Sequence, residues 1–162
     1  MREEDLEAVL AVQAACYPPS MQEAPAVVLA RLRAAPGSTL VALDAGGVCA
    51  YVFAYPSVLG KVTALHADFA PSHDGDTLYV HDLAVHPRAH GQGLGRRLAQ
   101  ALMIGARGRG LRHAALVAVL DARSFWESLG FAADALAGDR EGAEILAAYP
   151  GPAAYMVRGI AD

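Results

Sequence analysis

One junction constrains this chain more than any other feature. A strand-like run enters a glycine-rich turn, and an amphipathic helix leaves it. Residues 77–85 (TLYVHDLAV) are dense in aliphatic and aromatic side chains, which predicts a strand. The turn passes through Pro87 and reads His90-Gly91-Gln92-Gly93-Leu94-Gly95-Arg96-Arg97. From there Leu94, Leu98, Ala101, Leu102 and Gly105 recur at helical spacing, and Gly108 and Gly110 form the stop. Glycines let the backbone turn sharply and let a ligand reach the N–H groups. The helix start adds free donors and a partial positive charge. The junction is therefore an anion cradle, or a tight turn with no ligand.

Charge is distributed unevenly around it. The chain carries −4 overall, yet residues 83–120 hold six arginines (Arg88, Arg96, Arg97, Arg107, Arg109 and Arg112) and no acid, so the remainder is −10. One basic segment in an acidic protein suits a small polyanion better than a general nucleic-acid surface. A solvated helix face gives the same pattern. Two phosphate motifs fail here. No Gly-Lys-Ser or Gly-Lys-Thr follows the turn, as a nucleotide P-loop requires. Glycines at 91, 93 and 95 miss the dinucleotide spacing, and the next acid is Asp121, with no carboxylate where a ribose hydroxyl would need one.

A chain of 162 residues, 54% hydrophobic and 19% charged, supports a single domain over 1–162 with its own core, and excludes disorder. No apolar run approaches the roughly 20 residues of a membrane crossing. The start, MREED, lacks the apolar stretch of a secretory signal. Cys16 and Cys49 are too few for a disulfide framework and read as small buried residues. The expectation is a reduced, cytoplasmic protein. Helices are predicted over 5–16, with a stripe of Leu6, Val9 and Leu10, and over 25–34, with Val28, Leu29 and Leu32 inward. Strands over 38–43 and 48–56 flank the hairpin turn Asp44-Ala45-Gly46-Gly47. Residues 57–76 have no period and form a long loop of the kind that covers substrates. A strand over 114–120, a helix over 122–129, a segment over 131–136, a helix over 141–148 and a strand over 155–160 complete an α/β (α+β) domain with a mixed sheet.

Two motifs carry a resemblance. Leu83-Ala84-Val85-His86-Pro87 leads into the glycine turn, and Phe125-Trp126-Glu127-Ser128-Leu129-Gly130-Phe131 follows downstream. Together, and in this order, they resemble the CoA-binding and Phe-Tyr-x-x-x-Gly-Phe signatures of the GNAT superfamily of N-acetyltransferases. The resemblance covers nearly the whole chain. It implies a mostly antiparallel mixed sheet flanked by helices, and acetyl-CoA as co-substrate. Acetyl would pass directly to a primary amine, most simply a small aromatic amine or polyamine. The main chain of Gly91, Gln92, Gly93, Leu94, Gly95 and Arg96 would hold the pyrophosphate. Leu83, Ala84 and Val85 would receive the pantetheine arm like an added strand, with His90 and Phe125 beside it. His90 stands where the family has Arg or Gln, and Arg88 is placed to compensate. The strand Tyr79-Val80-His81-Asp82-Leu83-Ala84-Val85-His86, with Cys16-Tyr17-Pro18, is most similar to the arylalkylamine (serotonin-type) branch.

The arriving ammonium must lose a proton, and a group near neutral pKa is the natural acceptor. His81 matches the second histidine of that branch, and Tyr79 stands in place of the other. Residues two apart share a strand face, so Tyr79 and His81 point together, with Asp82 opposite. His81 as proton acceptor and Tyr79 as its orienting partner follow from the resemblance, and a structural core histidine is the alternative. Trp126 occupies the position of the family's thiolate-protonating tyrosine. An indole donates a hydrogen bond but yields no proton, so a packing role is as good a reading. Tyr149 and Tyr155 are substitutes without support from spacing. His81, Asp82, His86 and His90 run off a strand into a turn and do not make a metal set. His66, His73, Asp68, Asp74 and Asp76 lie in the long loop, to bind an amine or simply to be solvated. A protein or peptide acceptor and a catalytically silent acyl-CoA-binding module stay open. The short start before the first helix leaves the sheet's first edge incomplete, which allows a monomer or a homodimer.

Overall fold

The computed structural model describes residues 1–119, 121–135 and 140–160. Helices α1 (Leu6–Cys16) and α2 (Pro25–Ala34) come first. Strands β1 (Thr39–Asp44), β2 (Gly47–Ser57) and β3 (Thr77–Val85) follow, then α3 (Leu94–Gly108), β4 (His113–Ala118) and α4 (Arg123–Glu127). The chain ends through β5 (Ala132–Ala133), α5 (Arg140–Ala147) and β6 (Ala154–Gly159). The ends predicted at Leu120 and Leu136 lie outside the described residues. The sheet has six strands in the order β1-β2-β3-β4-β6-β5. Only β3 and β4 run parallel, joined by the α3 crossover, and every other pair is antiparallel.

Each face of the sheet buries its own apolar layer. Leu78, Val80, Ala114 and Leu116 pack under Leu98, Leu102 and Ala106 of α3, with Trp126 and Phe131 alongside. Tyr51, Phe53, Tyr55, Tyr79 and Tyr155 pack under Val9, Val12, Val28 and Leu32 of α1 and α2. The helix stripes are rotated from the sequence expectation. On α3 the buried set is Gly95, Leu98, Ala99, Leu102 and Ala106, and Ala101 and Gly105 face solvent. On α1 it is Val9, Val12 and Gln13, with Leu6 and Leu10 half-buried. On α2, Arg31 lies inward beside Val28 and Leu32. Cys49 is buried as expected, whereas Cys16 is half-buried and donates its thiol to the Val85 carbonyl at 3.3 Å.

At the open edge the Met1 ammonium donates to the Thr39 carbonyl of β1 at 3.2 Å. The loop over 58–76 contains no helix or strand and folds back over the α1–α2 face, where Phe69 is buried against Tyr55. No helix among the described residues is long and apolar enough to cross a membrane.

Candidate active site

Two irregularities in β3 make the site. The first is that β3 and β4 stop pairing at Val80 and Leu116, although β3 continues to Val85 and β4 to Ala118. The strands part, and a cleft of about 350 Å³ opens between them, reaching from Cys16, Tyr17 and His81 to Leu83, Val85 and Trp126. The second is a β-bulge. Phe53 pairs with Asp82 and Ala54 with Val80, so His81 is an extra residue with no partner on β2. A bulge re-aims side chains. Strict alternation had Asp82 opposite His81. In the structure both meet the α1–α2 side. His81 lies 5.4 Å from the Phe69 ring, and Asp82 accepts hydrogen bonds from the hydroxyls of Tyr17 (2.5 Å) and Tyr51 (2.6 Å).

The glycine turn borders the other end of the cleft. Gly91 and Gly93 sit at φ +76 and +70, where any other residue is strained, and a Cβ on either would meet nothing within 4 Å. The first main-chain N–H bond after His90 is Arg97 to Gly93, so the N–H groups from Gly91 to Arg96 have no acceptor among the described residues. A hollow of about 610 Å³ lies in front of them, walled by Leu83, Val85, Ala89 and Phe125. A Cβ on Gly95 would come within 3.4 Å of both Leu83 and Phe125, so strand, helix start and α4 close tightly here. Six free donors on an open concave backbone fit the pyrophosphate of a CoA thioester. Leu83 and Val85 also present carbonyls toward the cleft, where Tyr17 (3.2 Å) and the His90 Nε2 (2.8 Å) contact them.

Few of the arginines serve this hollow through their side chains. Arg88 is tied to Asp44 at 3.0 Å and to the Val48 carbonyl, so it does not make up for His90. Arg96 reaches away to the Ser128 hydroxyl at 2.9 Å. Arg109 bonds Ser38, and Arg112 pairs with Asp76. Arg97 is exposed, with no partner among the described residues.

The acceptor end is a junction of side chains distant in sequence. A small cavity of about 40 Å³ is lined by Tyr17, Met21, Glu23, Leu65, His81, Asp82, Val117, Val119 and Tyr149. Tyr17, His81, Asp82, Val117 and Val119 line both this cavity and the cleft. The His81 side chain is only 2% exposed, its Nδ1 has no hydrogen-bond partner, and its Nε2 lies 3.5 Å from the Glu23 carboxylate. Glu23 was not singled out from sequence. Burial opposes its charge, yet the imidazole of His81, the Arg31 guanidinium and the His66 N–H hold its pKa down at about 2. Asp82 shows the reverse, since burial outweighs its two tyrosine hydroxyls and raises its pKa. Tyr149 is pushed up to about 12, mainly by burial.

The other predicted residues separate cleanly. Tyr79 is buried among Tyr55 and His81, its ring 6.2 Å from the imidazole, and its pKa is raised well above 10 by burial. Trp126 is a buried packing residue set edge-on to Phe125 and Phe131, with one side on the cleft. Tyr155 accepts from the Gly60 N–H and stands apart from both cavities, which leaves Tyr149 as the C-terminal tyrosine at the site. His66 reaches the site through its backbone, and Asp76 pairs with Arg112 and His113 at the far end of the sheet. No three His, Cys, Asp or Glu side chains converge as a metal set among the described residues.

Comparison with known proteins places the fold in a family. The acetyltransferase (GNAT) family model matches residues 6–131, and the chain belongs to that family. Its fold is that of the GNAT-like decarboxylase GphF solved with isobutyryl-CoA (TM-score 0.76, 19% identity, 99% of this chain and 97% of that one). It is similarly close to the ribosomal-protein-S18-alanine N-acetyltransferase of Escherichia coli (0.69, 17%, 100% and 92%). The PaiA N-acetyltransferase of Thermoplasma acidophilum, solved with coenzyme A, is another such structure (0.67, 12%, 98% and 95%). No curated protein matches the chain.

Proposed function

We propose that the protein transfers acetyl from acetyl-CoA to a small primary amine, with His81 taking the proton. The observation that carries this reading is the bulged, solvent-shielded His81, with an unpartnered Nδ1, at the wall between the thioester cleft and a second cavity. A bound acetyl-CoA supplies an activated thioester carbonyl. The amine nitrogen attacks that carbon, a C–N bond forms, the C–S bond breaks, and the thiolate leaves. The ammonium proton goes to His81 before or during attack. The thiolate needs no protein acid in this scheme, which suits Trp126, whose indole has no proton to give. Tyr79 orients His81 only by packing beside it. Gly91 to Arg96, including Gln92 and Leu94, cradle the pyrophosphate with main-chain donors, while Leu83, Ala84 and Val85 flank the pantetheine.

A small acceptor suits the walls. The loop over 58–76 and Tyr149 lie over the acceptor end, where the small cavity beside His81 adjoins the larger cleft. Tyr17 and Tyr149 on its walls favour an aromatic amine, as in the arylalkylamine branch, over a polyamine. The test is acetyl-CoA-dependent thiol release with tryptamine-like, phenethylamine-like, polyamine and peptide amines. Turnover concentrated on the arylalkylamines is expected. Turnover on peptides alone overturns the acceptor class. No turnover on any amine, with acetyl-CoA still raising the melting temperature, points to a silent acyl-CoA-binding module.

A further inference from the structure

Glu23 is a heavily restrained side chain beside the cleft, and its restraints tie the α1–α2 connection to the loop and to His81. It lies in the connection between α1 and α2, with a carboxylate only 6% exposed. Its own backbone is clamped twice by the buried Gln13 side chain, which donates to the Glu23 carbonyl at 3.0 Å and accepts from its N–H at 3.1 Å. One carboxylate oxygen takes the Arg31 guanidinium, and the other takes the His66 N–H at 3.0 Å and faces His81 Nε2 at 3.5 Å. Arg31 is in turn held on the Ala67 carbonyl and lies over the Phe69 ring. A buried carboxylate with this many restraints is fixed in position and in charge.

We infer that Glu23 is the positioning residue for His81: it keeps the imidazole proton on Nε2 and leaves Nδ1 as the atom that accepts the proton of the amine. This inference rests on the proposed role of His81. A neutral imidazole carries one proton, and a carboxylate facing Nε2 draws it there. The lone pair then sits on Nδ1, the atom the structure leaves without a partner. When Nδ1 takes a proton, the new charge lies in a buried place beside an anion. The other groups around His81 offer no equivalent. Tyr17, Tyr79 and Tyr149 are neutral hydroxyls, raised in pKa by burial. Asp82, on the same strand, is directed onto Tyr17 and Tyr51. Val117 of β4 and Phe69 of the loop are apolar. Arg31 balances the Glu23 charge while His81 is neutral, so the group as a whole can take up one proton.

The experiment joins histidine ¹⁵N spectroscopy to pH–rate profiles. With His81→Gln assigning the resonance, the resting protein is expected to show His81 as the Nε2–H tautomer. Glu23→Gln should weaken that preference and let the Nδ1–H form appear beside it. It should also lower kcat roughly tenfold or more and leave KM for acetyl-CoA within about twofold. The acid limb of kcat/KM should differ from that of the wild type, since the substitution removes the anion facing the imidazole. A wild-type Nδ1–H tautomer overturns the inference, as does a Glu23→Gln enzyme whose limb stays in place. If Glu23→Gln does not fold, Glu23→Asp is measured in its place, and a kcat within about twofold of the wild type overturns the inference. The two readings fail separately. His81→Gln with unchanged turnover removes His81 as base, and the tautomer still reports whether Glu23 holds the imidazole.

Discussion

The two ends of the cleft are built from different materials. The proposed anion end is six consecutive residues that would act through their main-chain N–H groups, shaped by left-handed glycines. The proposed acceptor end gathers Tyr17, Glu23, His81 and Tyr149 from a span of more than a hundred residues, and each contributes a side chain. A cradle of backbone tolerates most side-chain changes and fails only where a Cβ forbids its conformation. A junction of side chains can lose its chemistry at any one of them while the fold stands. That difference orders the expected effects of substitution.

The largest contrast lies between His81 and Gly93. His81→Gln should lower kcat by roughly a hundredfold or more, the contribution typical of a positioned base, and erase the acid limb of the pH profile. Its KM for acetyl-CoA should stay near that of the wild type, because the substitution leaves the glycine turn untouched. Gly93→Val should do the reverse. A β-branched residue at φ +70 costs about 1–2 kcal/mol or more, so the loop must leave its present shape. The expected result is a KM for acetyl-CoA raised roughly tenfold, by the arithmetic of about 1.4 kcal/mol per tenfold, with kcat largely kept. Equal losses of kcat in both variants would mean that the two ends do not act separately.

The same contrast explains what the sequence revealed. The glycine turn, its strand and its helix are contiguous, so residue spacing alone located them between β3 and α3. The mixed sheet followed from elements whose periods are local. The acceptor end had no such signal. His81 was visible through the resemblance to one branch, but the bulge that turns Asp82 to the same side depends on a register shift against Phe53 and Ala54 of β2. Glu23 had no signal at all. Its role depends on Gln13, Arg31, His66 and His81 meeting in space. Arg31 hid in plain view, because a charged residue inside an apolar helix stripe is legible only once its buried partner is known. Arg88 misled for the same reason, since its partner Asp44 lies far away on the hairpin turn.

A smaller effect is expected in acid. The Glu23 pKa is about 2 in the fold against an ordinary value of 4.5. A depressed carboxylate contributes stability that is fully present above about pH 4.5 and lost as pH falls toward 2. The melting temperature of the wild type should therefore fall across that window. Glu23→Gln should melt lower than the wild type at pH 7, with the gap closing as pH approaches 2. A gap that stays constant with pH would show that the carboxylate charge contributes nothing.

Asp82 should give the smallest and opposite response. Its pKa lies above 3.8 in the fold because burial outweighs the hydroxyls of Tyr17 and Tyr51. A raised carboxylate favours folding most when protonated, so its contribution declines as pH rises through the folded value. Asp82→Asn keeps an acceptor for one tyrosine, offers an amide donor to the other, and removes the buried charge. Its stability at pH 7 should lie within about 1 kcal/mol of the wild type. As pH is lowered and the wild-type Asp82 takes its proton, the balance should shift toward the wild type, measured as the difference in melting temperature at pH 7 and pH 3. The two carboxylates both line the small cavity beside the bulge and differ in their partners, a guanidinium and an imidazole for Glu23 and hydroxyls for Asp82. Opposite signs in these two melting series are what that difference requires.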